Sequence, residues 1–326
     1  MGRANKKYKK SLNDQIFIKF HSMLAIGESK KLAQLDGSYR SHIYSWNTYH
    51  TYLREAQQFA KYMKVKHKEV TTLKKAKKYA REYMEMLLCK DPPLSSYTLR
   101  VKKQALCKLF DYPESLDMDL PERRRVDIKR SRMASTIDSH FSERKNQTLV
   151  NFLLGTGLRR SEALNIRAND LYTIDEIEKT IKEIENGERK EDKGRYNLDI
   201  LKQTRLFDGS DMTYFVYVKN GKGGKKRMVP ILKKYEDDIL KRFEEVGDDN
   251  KLFQSISNAC DVHSYRGRYC CSLYRNLCPR EIPKDNKYTT RKDIHVTYSK
   301  STMKKVSASL GHSRISVIAQ SYLYNL

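Results

Sequence analysis

The sequence predicts a mainly α protein with a small β-hairpin, built as a helical N-terminal part followed by a mixed α/β part. Three observations predict it. Apolar residues recur at steps of three and four through most of the first 110 positions. One pair of alternating runs, 214–218 and 227–231, flanks a glycine-rich turn. Between the two parts, DYPESLDMDLPERRRVDIKRSR at 111–132 combines two prolines, an acidic patch and a dense basic run with little apolar periodicity.

Taken in order, a basic arm and an N-terminal helix over 11–34 occupy residues 1–34. Residues 35–112 hold a helical bundle. Its first long helix carries the stripe Trp46, Tyr49, Leu53, Ala56, Ala60 and Met63. A second follows the Thr71–Thr72 cap with Leu73, Ala76, Ala80, Tyr83 and Leu87, and a third follows Ser95 and Ser96 with Leu99, Leu106, Leu109 and Phe110. Residues 113–132 read as the interdomain linker.

The second domain, 133–326, opens with helices over 143–155 and 161–168. Residues 170–213 read as an acidic surface insertion, because its first 23 positions hold nine acids and four bases. After the hairpin come helices over 232–246, with Tyr235, Ile239 and Phe243 in step, then 264–277 and 301–310. A last helix holds Val317, Ile318 and Tyr322.

Sixty-five Lys and Arg against 40 Asp and Glu leave a net charge of +25. Such an excess points to a polyanionic partner, because each neutralised phosphate releases condensed counterions. The first 130 residues are the more cationic, with 29 basic and 14 acidic side chains. Lys74, Lys75, Lys77, Lys78, Lys102 and Lys103 on the bundle, Arg123, Arg124 and Arg125 in the linker, and Lys225 and Arg227 in the hairpin are therefore candidate DNA contacts, with plain solvated charge as the alternative. No segment reaches the roughly 18 apolar residues of a membrane span. The start, MGRANKKYKK, lacks the apolar stretch of a signal peptide, so a cytoplasmic location is expected and no membrane partner. None of the six cysteines forms a C-x-x-C pair, which points to reduced, buried thiols and no metal site.

Four segments carry chemistry. GTGLRRSEALNIRANDL at 155–171 is a turn and amphipathic helix that offers an arginine at a helix N-terminus, a natural seat for phosphate. Such an arginine can grip two oxygens at once. The others are GKGGKKRMVP in the hairpin, His263-Ser264-Tyr265-Arg266, and LGHSRISVIAQSYLY at 310–324. In this order they resemble the tyrosine recombinase (phage integrase) family, and most closely the integrases of Gram-positive conjugative and transposable elements. The resemblance covers 131–326, and the helical bundle is similar to the family's core-binding domain.

By that resemblance Arg159, Lys222, His263, Arg266, His312 and Tyr322 are catalytic, and Glu162 orients Arg159. The resemblance implies site-specific strand transfer that integrates or excises a mobile element through a 3′-phosphotyrosyl intermediate. The implied partners are double-stranded DNA at attachment or terminal sites, a homo-tetramer on DNA, and an accessory DNA-bending or directionality factor. With the positive charge, the resemblance also implies a bacterial, nucleoid-associated location. No cofactor is implied, neither ATP nor a divalent metal. Physical chemistry agrees with these roles. Two guanidiniums, Arg159 and Arg266, would neutralise the charge building on a pentacoordinate phosphate, with His312 as a further donor. A phenol with an ordinary pKa of about 10 needs a base, here His263, while Lys222 would protonate the departing 5′ oxygen.

The pattern departs from the family in places. Only 41 positions separate Lys222 from His263, which implies a missing helix, whereas 46 separate Arg266 from His312 and include a basic loop, 279–292. Tyr322 follows His312 by ten positions instead of the commoner nine, so a bulge or shifted helix start is expected. Tyr324 is the rival nucleophile. Four residues follow Tyr322, so subunit contacts are expected from the N-terminal helix, the insertion or the 279–300 loop. Two other readings stay open: a type IB topoisomerase-like relaxing enzyme, and a catalytically inert DNA-binding protein.

Overall fold

The computed structural model describes residues 10–122, 141–192, 197–247, 249–290 and 296–323. Arg123, Arg124, Arg125 and Tyr324 lie outside the described residues. The chain divides into two compact units, Met1–Lys129 and Arg130–Leu326.

Unit 1 is helical: α1 (Leu12–His21), α2 (Lys30–Ala33), α3 (Trp46–Lys66), α4 (Leu73–Ala76), α5 (Ala80–Leu88) and α6 (Ser96–Leu109). Ser11, Ser45, Thr72 and Ser95 each cap a helix by accepting a backbone N–H three residues on. The apolar stripe of α3 meets α5 and α6, so that Ala56, Phe59, Met63, Tyr83, Met84, Leu99 and Leu106 form one core. The helix expected over 11–34 is broken. Its first part stops at Ser22, whose hydroxyl bonds the Lys19 carbonyl, and Gly27 then turns the chain with φ +91°. The polar run Gly27–Lys31 has no apolar face to bury.

Unit 2 contains α7 (Gln147–Thr156), α8 (Arg160–Ala163), β1 (Leu171–Thr173), α9 (Ile174–Glu185), α10 (Leu198–Leu201), β2 (Tyr214–Val218) and β3 (Arg227–Pro230). There follow α11 (Glu236–Val246), α12 (Val262–Leu277), β4 (Lys287–Thr289), β5 (Thr297–Ser299), α13 (Lys300–Ser309) and α14 (Ser316–Ser321). β2 runs antiparallel between β1 and β3, with Val216 opposite Leu171 and Val229. Its residues Phe215, Val216, Tyr217 and Val218 are all buried, as in a central strand covered on both faces. The molecule is therefore mainly α with small antiparallel sheets.

Three elements depart from expectation. The helix expected over 161–168 shrinks to the single turn of α8, because Ile166 drops into the core and Arg167 N–H turns to the Asp170 carboxylate at 2.9 Å. The stretch 170–213 is not a surface appendage. It supplies β1, and Ile177, Ile181, Leu201 and Phe207 are buried in the unit's core. The basic loop after α12 contains a second hairpin, β4 paired with β5. Among the described residues no helix is long and apolar enough to cross a membrane.

Candidate active site

Arg159 stands at the N-cap of α8, where the chain leaves α7 through Gly157. That glycine has φ +58°, and a Cβ there would lie 2.2 Å from the Tyr269 ring. The turn fixes Arg159 beside Glu162: the Arg159 backbone N–H donates to Glu162 Oε2 at 2.9 Å and Nη1 to Oε1 at 2.7 Å. On the opposite wall α12 carries Arg266, capped at its start by Asp261, whose carboxylate accepts the Ser264 N–H at 3.2 Å. His263 lies exposed one turn before Arg266 on that helix.

Arg266 is wholly buried, at 0% exposure. Its Nη1 donates to the Gly157 carbonyl, its Nη2 to the Leu310 carbonyl, and its Nε to the Tyr322 hydroxyl at 3.2 Å. Burial presses its pKa down, and Tyr322 acts in the opposite sense. Arg159 Nη2 reaches the same Leu310 carbonyl at 3.3 Å, so one peptide oxygen gathers both guanidiniums.

Leu310 ends α13, and Gly311, with φ +68°, turns the chain so that His312 follows immediately. His312 is held through its backbone: its N–H donates to Ser307 O at 2.9 Å, and the Ser307 hydroxyl donates to its carbonyl at 3.1 Å. Its Nε2 stands 3.4 Å from the Tyr322 hydroxyl. Tyr322, only 2% exposed, follows the last residue of α14, so the longer spacing from His312 still delivers the phenol to Arg266. The Cys271 thiol donates to the Tyr322 carbonyl at 3.4 Å, and Tyr298 Oη donates to Leu323 O at 2.7 Å. These two bonds tie down the backbone immediately after the phenol.

Five of the expected residues are thus brought together: Arg159 bonds Glu162, Tyr322 bonds Arg266 and His312, and the Leu310 carbonyl joins the two groups. Lys222 is exposed in the turn between β2 and β3, next to Gly221. Glu162 is 2% exposed and accepts from a second arginine, Arg227, through Nη1 at 3.1 Å and Nη2 at 2.8 Å. Burial alone would raise the Glu162 carboxyl, but the bonds and charge of Arg227, followed by those of Arg159, hold it down at about 2.

Arg227 therefore corrects one expectation. It is an interior ion-pair partner at 2% exposure, not a surface phosphate contact. Lys102 is a second correction. It lies 6% exposed in unit 1 with its ammonium on Glu55 Oε2 at 2.6 Å and on Gln58, because a buried carboxylate needs a counter-charge. Lys103 is half-buried and donates to Met118 O at 2.8 Å. Lys74, Lys75, Lys77 and Lys78 are exposed. Lys225 is exposed as well, and its ammonium bonds the Ser313 hydroxyl at 2.7 Å, linking the hairpin turn to the loop after His312.

Sequence reasoning missed Arg160. Its guanidinium donates to the carbonyls of Ile256 and Cys260 at 2.7 Å and of Ser257 at 2.8 Å, fixing the loop that enters α12. The adjacent Arg159–Arg160 pair was the only signal for it.

The chain is similar to solved recombinase and integrase structures. It covers 95% of itself and 93% of XerA recombinase at 14% identity with a TM-score of 0.28. It covers 90% of itself and 94% of the Tn1549 transposon integrase in complex with transposon right-end DNA, at 14% identity and TM-score 0.45. The same integrase with circular intermediate DNA gives 13% identity, the same coverages and TM-score 0.45. No family model and no curated protein matches the chain. At that level of likeness, function has to be argued from the side chains of the site.

Proposed function

We propose that this chain is a tyrosine site-specific DNA recombinase, with Tyr322 as nucleophile. The observation that carries the reading is the Tyr322 hydroxyl held between Arg266 Nε and His312 Nε2, with Arg159 gathered to the same peptide oxygen as Arg266. A buried phenol needs one partner for its hydroxyl. A phenol bonded to one guanidinium and an imidazole, with a second guanidinium on the same peptide oxygen as the first, suits attack on a phosphodiester.

In the proposed reaction the Tyr322 oxygen bonds to phosphorus as its proton passes to His263. Arg159 and Arg266, with His312, hold the charge that collects on the equatorial oxygens. The P–O5′ bond breaks and Lys222 gives the leaving oxygen its proton. The product is a 3′-phosphotyrosyl linkage and a free 5′-hydroxyl. The phosphoester count is unchanged, so a second 5′-hydroxyl can reverse the step without any energy-supplying cofactor. The partner is double-stranded DNA, and the two-site exchange calls for a tetramer.

The test starts from duplexes that the wild-type chain selects out of a random pool. Those duplexes, nicked beside the cleaved bond, should yield a covalent protein–DNA adduct that resists denaturation. Tyr322→Phe should yield none. An adduct from Tyr322→Phe would reject this nucleophile. No adduct from wild type would leave DNA binding alone.

A further inference from the structure

The mechanism leaves the buried charge of Arg227 unused. Arg227, the first residue of β3, touches three of the segments that carry the proposed catalytic side chains. Its Nη atoms fork onto Glu162, which in turn holds both the backbone and the guanidinium of Arg159. Its Nε donates to the Ser309 carbonyl at 2.7 Å, one residue before the oxygen shared by Arg159 and Arg266. Its stem packs under Gly311, where an added Cβ would sit 3.3 Å from Arg227 Cδ, immediately before His312. The turn bearing Lys222 rests on the same group: a Cβ on Gly221 would lie 2.8 Å from Arg227 Nη1 and 3.2 Å from Glu162 Oε1.

We infer that Arg227 is a positioning residue that sets Arg159, the Lys222 turn and the His312 turn in mutual register, acting through Glu162 and the α13 terminus. The inference rests on the recombinase reading. Direct phosphate contact is the alternative for a basic hairpin residue, but three of the five Arg227 N–H groups bond Ser309 and Glu162, and the Glu162 carboxylate already supplies its counter-charge. Charge alone does not explain it either. An ammonium would neutralise Glu162 but could not fork onto both carboxylate oxygens while also reaching Ser309. Register matters because a misplacement of about 1 Å costs on the order of 100-fold in rate.

The experiment compares wild type, Arg227→Met and Arg227→Lys in the full chain, using the selected nicked duplex. Both variants are expected to bind it with wild-type affinity and wild-type salt dependence, while adduct formation falls about 100-fold in Arg227→Met and by a smaller factor in Arg227→Lys. A duplex with sulfur in place of the bridging 5′ oxygen needs no proton on its leaving group, so it should recover part of the loss, as it should for Lys222→Ala. Should Arg227→Met lose its cooperative melt, Arg227→Lys, which keeps the charge beside Glu162, decides the matter.

Adduct rates within threefold of wild type in the folded variants overturn the inference. Weakened binding with a shallower salt dependence overturns it in favour of direct phosphate contact, and a loss that sulfur leaves untouched removes the Lys222 arm. If wild type forms no adduct, the recombinase reading fails and takes this inference with it. A wild-type adduct that survives both substitutions removes the inference alone.

Discussion

Glu162 shows how much a single carboxylate can contribute when two arginines close over it. Its carboxyl is held at about 2 against an ordinary 4.5. A depressed carboxyl contributes stability that is complete above pH 4.5 and is lost as pH falls toward 2. At about 1.4 kcal/mol per unit, that contribution is on the order of 3 kcal/mol. Glu162→Gln should therefore be less stable than wild type by roughly that amount at pH 7, with the difference fading between pH 4.5 and 2. Denaturant titrations at pH 7 and pH 3 measure it, and an equal deficit at both pH values would count against the ion-pair origin. Tyr322, His312 and Arg266 were legible in the sequence because their segments, taken in order, resemble the motifs of the recombinase family. Arg227 was not. It sits in a run with Lys219, Lys222, Lys225 and Lys226, and composition cannot say which member of a basic run turns inward.

Among the elements, turns and short strands decide where the charges end up. Gly157→Ala would place a methyl group 2.2 Å from the Tyr269 ring at a φ of +58°. It should cost at least about 1–3 kcal/mol in the melt, and the shift of the Gly157 carbonyl should lower adduct yield as well. A variant with a wild-type melt and wild-type yield would contradict this account of the turn. The 170–213 stretch teaches a complementary lesson. Acidic composition marked it as surface, yet Ile177 and Ile181 repeat at helical spacing and are fully buried. Ile177→Ala is expected to destabilise unit 2 by about 2–5 kcal/mol. A change under about 0.5 kcal/mol, the usual size for surface positions, would mean the helix is dispensable. Capping residues and apolar steps made α3 and α6 readable in advance, whereas the single helix expected after Thr72 is divided into α4 and α5, and α5 starts without a side-chain cap. The break after α1 and the β4–β5 hairpin were not readable, because each depends on what packs against a polar run, not on the run itself.

For the whole molecule, the net charge of +25 sets long-range behaviour. The exposed Lys74, Lys75, Lys77 and Lys78 belong to unit 1, so replacing them tests the DNA reading without changing any residue of the candidate site. Replacing all four by alanine should flatten the dependence of log affinity on log salt by about 0.9 for each lysine that meets a phosphate. Filter-binding or anisotropy titrations between low and moderate salt read the slope directly. An unchanged slope would make these lysines solvated charge, the alternative that sequence composition left open.

The Leu310 carbonyl lies at the carboxyl end of α13, where the aligned peptide dipoles leave partial negative charge. Two arginines from distant parts of the chain are collected on that pole. Fraying the last turn of α13 by one residue would therefore release both together. The pair should behave as one unit in double-mutant cycles, and the terminus of a ten-residue helix becomes a single point at which the proposed reaction can be switched off.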